Sequence, residues 1–472
     1  MNIALIRPPK ISGAFEKILI QEPINLAYIA AYLKNKDFKV TIWDFEVEPY
    51  SKKILSEKVK NSAINIAGIT AMTPTIANAH LIAQTLKNID PSLKTIAGGP
   101  HVSALPEESL SEFPAFDYIV IGEGEKPMRA LCEKIKEHGA PDTLNAVGWR
   151  ENGTVKIHAV PDFIENLDTL DFPARELFEP KYYRNIYAAG IDRPKTKSTA
   201  MFTSRGCPHQ CTFCAVKTTL GDKVRSRSAR NVTKELFLCK TRFGYNHITF
   251  EDTNITFDRQ RFLEICSGLK DLKLSWDCQT RVDLVDEPLI KIMRDAGCLK
   301  IAYGIESGSP RILKLMRKNI DLDQIRQAFR WTKQNGIIAC AFFILGAHPQ
   351  ETKEDIEMTR SLLFETAPDV FQLSIICPYP GTQIHELMRK ENLLIRTDWS
   401  KFNFMHTAPI WGTKFIAASE LIKIQKKIYF QYLFSPKFLY KVANRKYRLR
   451  QLLHLLKIGL LLVYYLIFEK RR

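Results

Sequence analysis

At 472 residues the chain is longer than one ordinary hydrophobic core organises, so two or three domains are expected. Hydrophobic residues at 45% and charged residues at 25% are globular usage and exclude a largely disordered chain. The net charge of +17 is concentrated, because residues 414–472 hold fourteen Lys and Arg against Glu420 and Glu469; set beside apolar helix, that charge favours a membrane surface over nucleic acid.

From residue 1 to 158, short apolar runs alternate with helical patterns. Strands are predicted at Asn2–Ile6, Lys39–Phe45, Ile64–Thr70, Thr95–Gly98 and Tyr118–Gly122. Helices are predicted at Leu26–Leu33, Tyr50–Lys60, Ile76–Asn88, Glu107–Phe113 and Pro127–Glu137. Five strand–helix repeats imply an α/β domain with a doubly wound parallel sheet, its ligands outside the carboxyl ends of the strands. The loops there carry Thr70, Thr73, Gly98, Gly99, Gly122 and Glu123. Glycine and small hydroxyl residues let backbone approach a large planar or phosphate-bearing ligand, although tight turns alone also explain them.

In their order, with Gly98-Gly99-Pro100-His101 and Gly122-Glu123-Gly124-Glu125 after the fourth and fifth strands, these loops resemble the cobalamin-binding domain that precedes many radical S-adenosylmethionine (SAM) cores. The resemblance implies a Rossmann-like domain holding cobalamin through those loops. The D-x-H-x-x-G element that supplies a cobalt-ligating histidine is missing, so the resemblance implies a cobalt without a lower histidine ligand. His101 reads as an ordinary loop residue. Trp149–Val155 reads as a hairpin turning at Asn152-Gly153. Residues 159–196, with Pro161, Pro173, Pro180 and Pro194 and no periodicity, read as a linker. Within it, Leu167–Pro173 resembles the linker of the same family.

Residues 197–395 resume the alternation. A strand at Ser198–Ser204 runs into Ser204-Arg205-Gly206-Cys207-Pro208-His209-Gln210-Cys211-Thr212-Phe213-Cys214. Three thiolates on one loop suit a soft centre, either zinc or an iron–sulfur cluster. On spacing alone, zinc with His209 or a distant residue as fourth ligand stays open. Further strands are predicted at His247–Phe250, Leu274–Gln279, Leu299–Tyr303, Ala339–Leu345 and Val370–Ile376. Helices are predicted at Val232–Phe243, Asp258–Lys270, Glu287–Ala296, Ser309–Lys318, Asp321–Asn335, Lys353–Glu365 and Thr382–Glu391. This is the pattern of a partial (β/α)6 TIM-like barrel, with its chemistry at the carboxyl ends of the strands. Those ends carry Glu251 and Asp252, Arg281, and Glu306 with Ser307. Helix capping by Asp252 or Asn254 and a salt bridge at Glu306 are the plain alternatives.

The C-x3-C-x-aromatic-C spacing, with Phe213 in the aromatic place, resembles the radical SAM signature. So do F-E-D-T-N, G-I-E-S-G-S, G-A-H-P-Q-E-T and P-Y-P-G-T downstream. The resemblance implies a [4Fe–4S] cluster on Cys207, Cys211 and Cys214, with SAM at its open iron. It places Glu251 and Asp252 near the methionine part of SAM, Glu306 at the ribose and Phe213 near the adenine. Arg281 and Ser307, at neighbouring strand ends, join them as candidate SAM contacts.

The implied chemistry is cleavage of SAM to a 5′-deoxyadenosyl radical, fed by a reductant such as ferredoxin or flavodoxin. With cobalamin it leads to C-methylation of an unactivated carbon on a lipophilic substrate, as in cobalamin-dependent radical SAM methyltransferases. Oxidative cyclisation or ring rearrangement is the alternative, as in enzymes like the anaerobic magnesium-protoporphyrin ester cyclase. Methylthiotransferases that modify transfer RNA carry a second three-cysteine cluster in their N-terminal domain, where this chain has only Cys132, and no nucleic-acid partner is expected. A non-catalytic metal scaffold leaves the acidic loops at successive strand ends unexplained. The other seven cysteines are scattered, which points to a reduced, cytoplasmic setting. The N-terminus runs straight into a strand pattern and is not read as a signal peptide.

In the tail, residues 396–472, helices are predicted at Ile416–Phe434 and Ala443–Phe468. Lys446, Arg450, His454 and Lys457 form a basic stripe ahead of the apolar run Ile458–Phe468. As a helix Leu452–Phe468 is ~25 Å long against a hydrocarbon core of ~30 Å. A peripheral, in-plane or dipping anchor on the cytoplasmic membrane is therefore expected, with a full span and a buried protein–protein helix as alternatives and packing on the barrel as the plain reading.

Overall fold

Ile3-Ala4-Leu5-Ile6 are buried without alternation, as befits a parallel strand covered on both faces. They lie in β1 (Asn2–Arg7), one strand in from the edge of a seven-stranded sheet in a computed structural model that describes residues 1–10, 20–34, 38–179, 183, 196–395, 398–403 and 411–438. The chain continues through α1 (Ile24–Lys34), β2 (Lys39–Asp44), α2 (Lys52–Ser62), β3 (Ile66–Thr70), α3 (Ile76–Ile89) and β4 (Lys94–Gly98). Then come α4 (Pro100–Ala104), α5 (Pro106–Glu112), β5 (Tyr118–Val120) and α6 (Glu125–Lys136). The parallel strands stand in the order β2-β1-β3-β4-β5, a doubly wound arrangement with its switch point beside β1. The hairpin β6 (Val147–Glu151) and β7 (Thr154–His158) extends the sheet antiparallel to β5. Asn152 and Gly153 take φ of 49° and 80°, the left-handed pair that a two-residue hairpin turn needs.

The second sheet follows chain order: β8 (Ser198–Met201), β11 (His247–Phe250), β12 (Ser275–Thr280), β13 (Cys298–Glu306), β14 (Ile338–Leu345) and β15 (Val370–Ile375), all parallel. Between β8 and β11 lie the short pair β9 (Ser204–Arg205) and β10 (Arg225–Ser226), helix α7 (Val216–Leu220) and helix α8 (Ala229–Thr241). Helices α9 (Arg259–Asp271), α10 (Glu287–Asp295), α11 (Pro310–Leu315), α12 (Leu322–Gln334), α13 (Lys353–Thr366) and α14 (Gln383–Lys390) cover the outside. Strand periodicity explains the layering. On β12, Trp276 and Cys278 sink into the apolar layer with Phe250 and Phe262. Asp277, pointing to the other face, bonds His247 at 2.8 Å and Lys300 at 3.3 Å from the two neighbouring strands. The lumen of the partial barrel is thus polar and its jacket apolar.

The stretch read as a linker is a packed seam. Ile164, Leu167, Leu170, Ala174, Phe178 and Tyr183 are buried in the core of the first sheet. Arg175, also buried, pairs with Glu235 of α8 and donates to Thr199 Oγ1 at 3.0 Å and the Ala200 carbonyl at 2.8 Å. In the tail, α15 (Ala418–Leu433) packs on the barrel: the Leu373 N–H donates to Tyr429 Oη at 2.9 Å, and Tyr432 Oη donates to the Pro368 carbonyl at 2.7 Å. The second predicted tail helix, with its basic stripe, lies outside the described residues. Among the described residues no helix is long and apolar enough to cross a membrane.

Candidate active site at the domain boundary

The cysteine loop leaves β8 through Thr203, and its base is locked. Asp252 accepts from the Thr203 N–H at 2.9 Å, from Thr203 Oγ1 at 2.7 Å and from Ser204 Oγ. β9 then pairs antiparallel with β10 and closes the loop. Gly206 has φ of 89°, and a Cβ there lies 2.1 Å from the Lys223 carbonyl oxygen, so only glycine fits. Backbone bonds from Thr212 N–H to Met316 O and from Ile384 N–H to Thr212 O, both 3.0 Å, seat the loop on the barrel mouth. Cys207, Cys211 and Cys214 are free, half-buried thiols. Burial, the largest cause, pushes the Cys211 and Cys214 thiols up, so a metal centre must displace their protons.

Asn254 donates its Nδ2 toward Cys207 Sγ at 3.7 Å, and the Cys211 thiol faces the Arg317 carbonyl at 3.8 Å. Nε2 of His209 is buried with no hydrogen-bond partner. Among the described residues no three His, Cys, Asp or Glu side chains converge to hold one ion. Zinc–thiolate bonds of ~2.3 Å draw their sulfurs onto one centre, whereas a four-iron cubane spreads three thiolates over three irons. Soft thiolates with a sulfur-directed amide beside them fit the cluster.

Next to this loop the structure gathers three of the predicted residues around one that sequence reading missed. Lys318 pairs with Glu306 at 2.8 Å, its ammonium stands 6.0 Å from the Phe213 ring, and its carbonyl accepts from Arg281 Nη2 at 2.8 Å. Arg281 is held in turn by Asp283 at 2.8 Å. Glu306 takes φ of 67°, a strained conformation for a non-glycine residue that tends to mark functional sites. Nothing around Lys318 in the sequence distinguishes it from a solvated charge. Glu251 points into the barrel lumen and accepts from Gln21 Nε2 at 2.8 Å; burial first, then the nearby Asp277 charge, raise its carboxyl to about 7. Ser307 lies apart: it is buried, bonds Thr359 Oγ1 at 3.1 Å and accepts from the Ser309 N–H.

Across the boundary, a cavity of about 360 Å³ opens at the carboxyl ends of β3, β4 and β5. Thr70, Gly98, Gly99, Gly122 and Glu123 line it over an apolar floor that includes Leu5, Ile96 and Met128. Its far wall comes from the barrel: Phe202, Arg205, and Thr219 and Leu220 of the cysteine loop. A Cβ on Gly98 makes only ordinary van der Waals contact, with Val120 at 3.8 Å, so the bare backbone there comes from the cavity's shape and not from a clash. Thr73 is not part of the lining and instead faces His101 Nδ1 at 3.3 Å. His101 is buried edge-on against Trp399 at 5.1 Å, and burial lowers its imidazole to about 4. A glycine-rimmed slot with an apolar floor fits a large planar group, and His101 is committed to Thr73 and Trp399 instead.

The first domain matches the B12-binding domain family over residues 19–132, and the barrel matches the radical SAM superfamily over residues 201–363. An uncharacterized methyltransferase of Pyrococcus horikoshii is 31% identical over 93% of this chain and 94% of its own. The anaerobic magnesium-protoporphyrin IX monomethyl ester cyclase of Rubrivivax gelatinosus is 29% identical over 97% of this chain and 82% of its own. Among solved structures, the cobalamin-dependent radical SAM enzyme OxsB, with aqua-cobalamin and SAM bound, superposes with a TM-score of 0.73 at 20% identity, covering 99% of this chain and 73% of that one. The radical SAM methyltransferase TsrM of Kitasatospora setae, with cobalamin and a [4Fe–4S] cluster bound, gives 0.69 at 15% identity over 84% of this chain and 79% of that one. These two likenesses are of fold. The chain belongs to the radical SAM enzymes with an N-terminal B12-binding domain, a family of cobalamin-dependent methyltransferases and magnesium-protoporphyrin cyclase-like enzymes, and its cofactors are a [4Fe–4S] cluster, SAM and cobalamin.

Proposed function

We propose that the protein transfers a methyl group to an unactivated carbon of a lipophilic substrate. The observation that carries this reading is the shared chamber: the cysteine loop supplies one wall of the cavity in the B12-binding domain. Radical generation and methyl supply then sit side by side, as the named activity of the Pyrococcus relative also suggests. When bound, the cofactors supply the hydrogen-abstracting radical, the methyl group and the electrons that an external ferredoxin or flavodoxin delivers. The chain's own residues do the rest. Cys207, Cys211 and Cys214 hold the cluster, and Asn254 steadies the first sulfur. Lys318, Glu306 and Phe213 position the nucleoside of SAM, with Arg281 bracing Lys318. Thr70, Gly98, Gly99 and Gly122 admit the corrin. Glu251, near 7, suits a group that both gives and takes a proton in the lumen. The basic stripe and apolar run of the tail support a peripheral membrane position, and hence access to a lipophilic substrate.

The test is anaerobic reconstitution followed by incubation with methyl-deuterated SAM and lipid extracts of cells lacking the protein. The expected result is a product carrying the label, with 5′-deoxyadenosine and S-adenosylhomocysteine both released. A new product without label, formed with 5′-deoxyadenosine alone, refutes methyl transfer and favours the cyclase-type reading, which the near full-length likeness to the Rubrivivax enzyme motivates.

A further inference from the structure

Glu123 and Glu125 stand in the loop that rims the cobalamin cavity, yet their carboxylates are committed to the barrel. Glu123 accepts from both terminal guanidinium nitrogens of Arg225, at 2.6 and 3.0 Å, and Arg205 approaches it at 3.3 Å. Its Oε2 also accepts from the Ile164 N–H at 3.1 Å, so both oxygens are engaged by the barrel and the seam. Glu125 accepts from Arg205 Nη2 at 2.6 Å. The Arg225 and Glu123 side chains are each only 2% exposed, and a pair so buried holds its geometry far better than a surface bridge does. Aromatic faces fix both cations further, with Tyr28 5.4 Å from Arg205 and Phe163 4.7 Å from Arg225.

The two arginines are the facing residues of β9 and β10, the strand pair that closes the cysteine loop. Arg205 is followed at once by Gly206 and Cys207. The loop so closed then returns to the cavity, where Thr219 and Leu220 form part of the wall, and a Cβ on Gly122 lies 3.7 Å from the Thr219 carbonyl. One side of the clamp holds the rim of the cobalamin cavity and the other holds the base of the cluster loop.

We infer that Arg205 and Arg225, with Glu123 and Glu125, are positioning residues that couple the two cofactor sites, so that a filled cluster loop presets the cavity and raises its affinity for cobalamin. Because coupling is reciprocal, cobalamin in turn stabilises the cluster loop. A loop ordered by its cluster presents the arginines in the geometry the glutamates require. A loop without it loosens β9, the clamp and the far wall together.

The experiment is anaerobic titration of the full chain with hydroxocobalamin, followed by its visible spectrum, with and without a reconstituted cluster. Cobalamin should bind ~10-fold more tightly to the cluster-loaded protein, within the usual range for coupled sites. In Glu125→Gln, which keeps the side-chain shape and removes the charge, the ratio should fall to within about twofold of one. In Arg225→Lys, which keeps charge but loses the bidentate fork, it should fall likewise. Glu165→Gln breaks the neighbouring pair with Lys223, whose partners are 65% and 72% exposed, and should leave the ratio as in the unaltered protein. Reciprocally, cobalamin should slow the loss of cluster absorbance to a chelator in the unaltered protein and not in Glu125→Gln. Equal affinity with and without the cluster overturns the inference. So does a ratio that survives in both clamp variants, because the coupling then runs through the loop wall alone. Failure of hydroxocobalamin to bind under either condition counts against the cavity as its site and removes the inference with it.

Discussion

Glu351 is fully buried, and its Oε2 accepts from the Ala347 N–H at 3.1 Å just past β14. Oε1 has no hydrogen-bond partner and, among the described residues, no cation pairs with the carboxylate; burial, the largest cause, raises the group from 4.5 to about 8 against the opposing pull of the Ala347 and Gly346 N–H groups. At pH 7 the native chain therefore holds this carboxyl protonated, whereas the unfolded chain does not. The folded-state value lies above the unfolded one, so the stabilising contribution is fully present below about 4.5 and is lost as pH rises to about 8. Each unit is worth ~1.4 kcal/mol, so carrying the proton from 4.5 to pH 7 costs the folded state about 3 kcal/mol. Glu351→Gln keeps the acceptor for Ala347 and has no proton to recruit. Its stability relative to the unaltered protein should rise by ~1.4 kcal/mol per pH unit between pH 5 and 8, reaching about 3 kcal/mol at pH 7. Urea unfolding of the full chain at pH 5, 6, 7 and 8 measures this. A difference between the two proteins that does not change with pH, or a loss of stability in Glu351→Gln at pH 7, refutes the protonated, unpaired carboxyl.

Three further outcomes follow from the site. Replacing Cys207, Cys211 or Cys214 by serine should abolish iron incorporation and reductive SAM cleavage, while serine at the buried Cys132, far from the loop in sequence, should leave iron content unchanged. Gly206→Ala should lower cluster incorporation strongly, since the positive φ alone costs roughly 1–2 kcal/mol and the added carbon overlaps the Lys223 carbonyl; normal iron content in that variant refutes the close approach. Gly98→Leu should fold but weaken hydroxocobalamin binding by at least ~10-fold, because Gly98 lines the cavity and a Cβ there meets nothing closer than 3.8 Å; unchanged binding places the corrin elsewhere.

The alternation of strands and helices was legible because the two periods, and the punctuation between them, are local properties. The parallel strands of both sheets, the hairpin at Asn152-Gly153 and nearly every helix predicted within the described residues stand within a few residues of the predicted spans. The cysteine loop was legible for the same reason: its three thiols are close in sequence, although spacing alone left zinc open and the cluster followed from the family's motifs. Asn254 was visible only as a helix cap, since a sulfur 47 residues away cannot be read from a local pattern.

Pairings across the domain boundary were beyond the sequence. Glu123 stood in a loop whose composition suits cofactor binding, and only its distance to Arg225 shows that its carboxylate is spent on the barrel. Asp252 and Glu251 are adjacent and alike, but successive side chains leave a strand end in opposite directions. One therefore locks the loop base and the other enters the lumen beside Asp277. The linker looked structureless because its order comes from burial against a sheet it does not belong to. The chain by itself carried the motifs through which its cofactors were recognised, since its clustered cysteines, glycines and strand ends are written in contiguous stretches. Tertiary structure alone decided that the cysteine loop walls the cavity of the first domain and that a buried ionic clamp joins the two, because charges 80 to 102 residues apart in sequence are brought within hydrogen-bonding distance only by the fold.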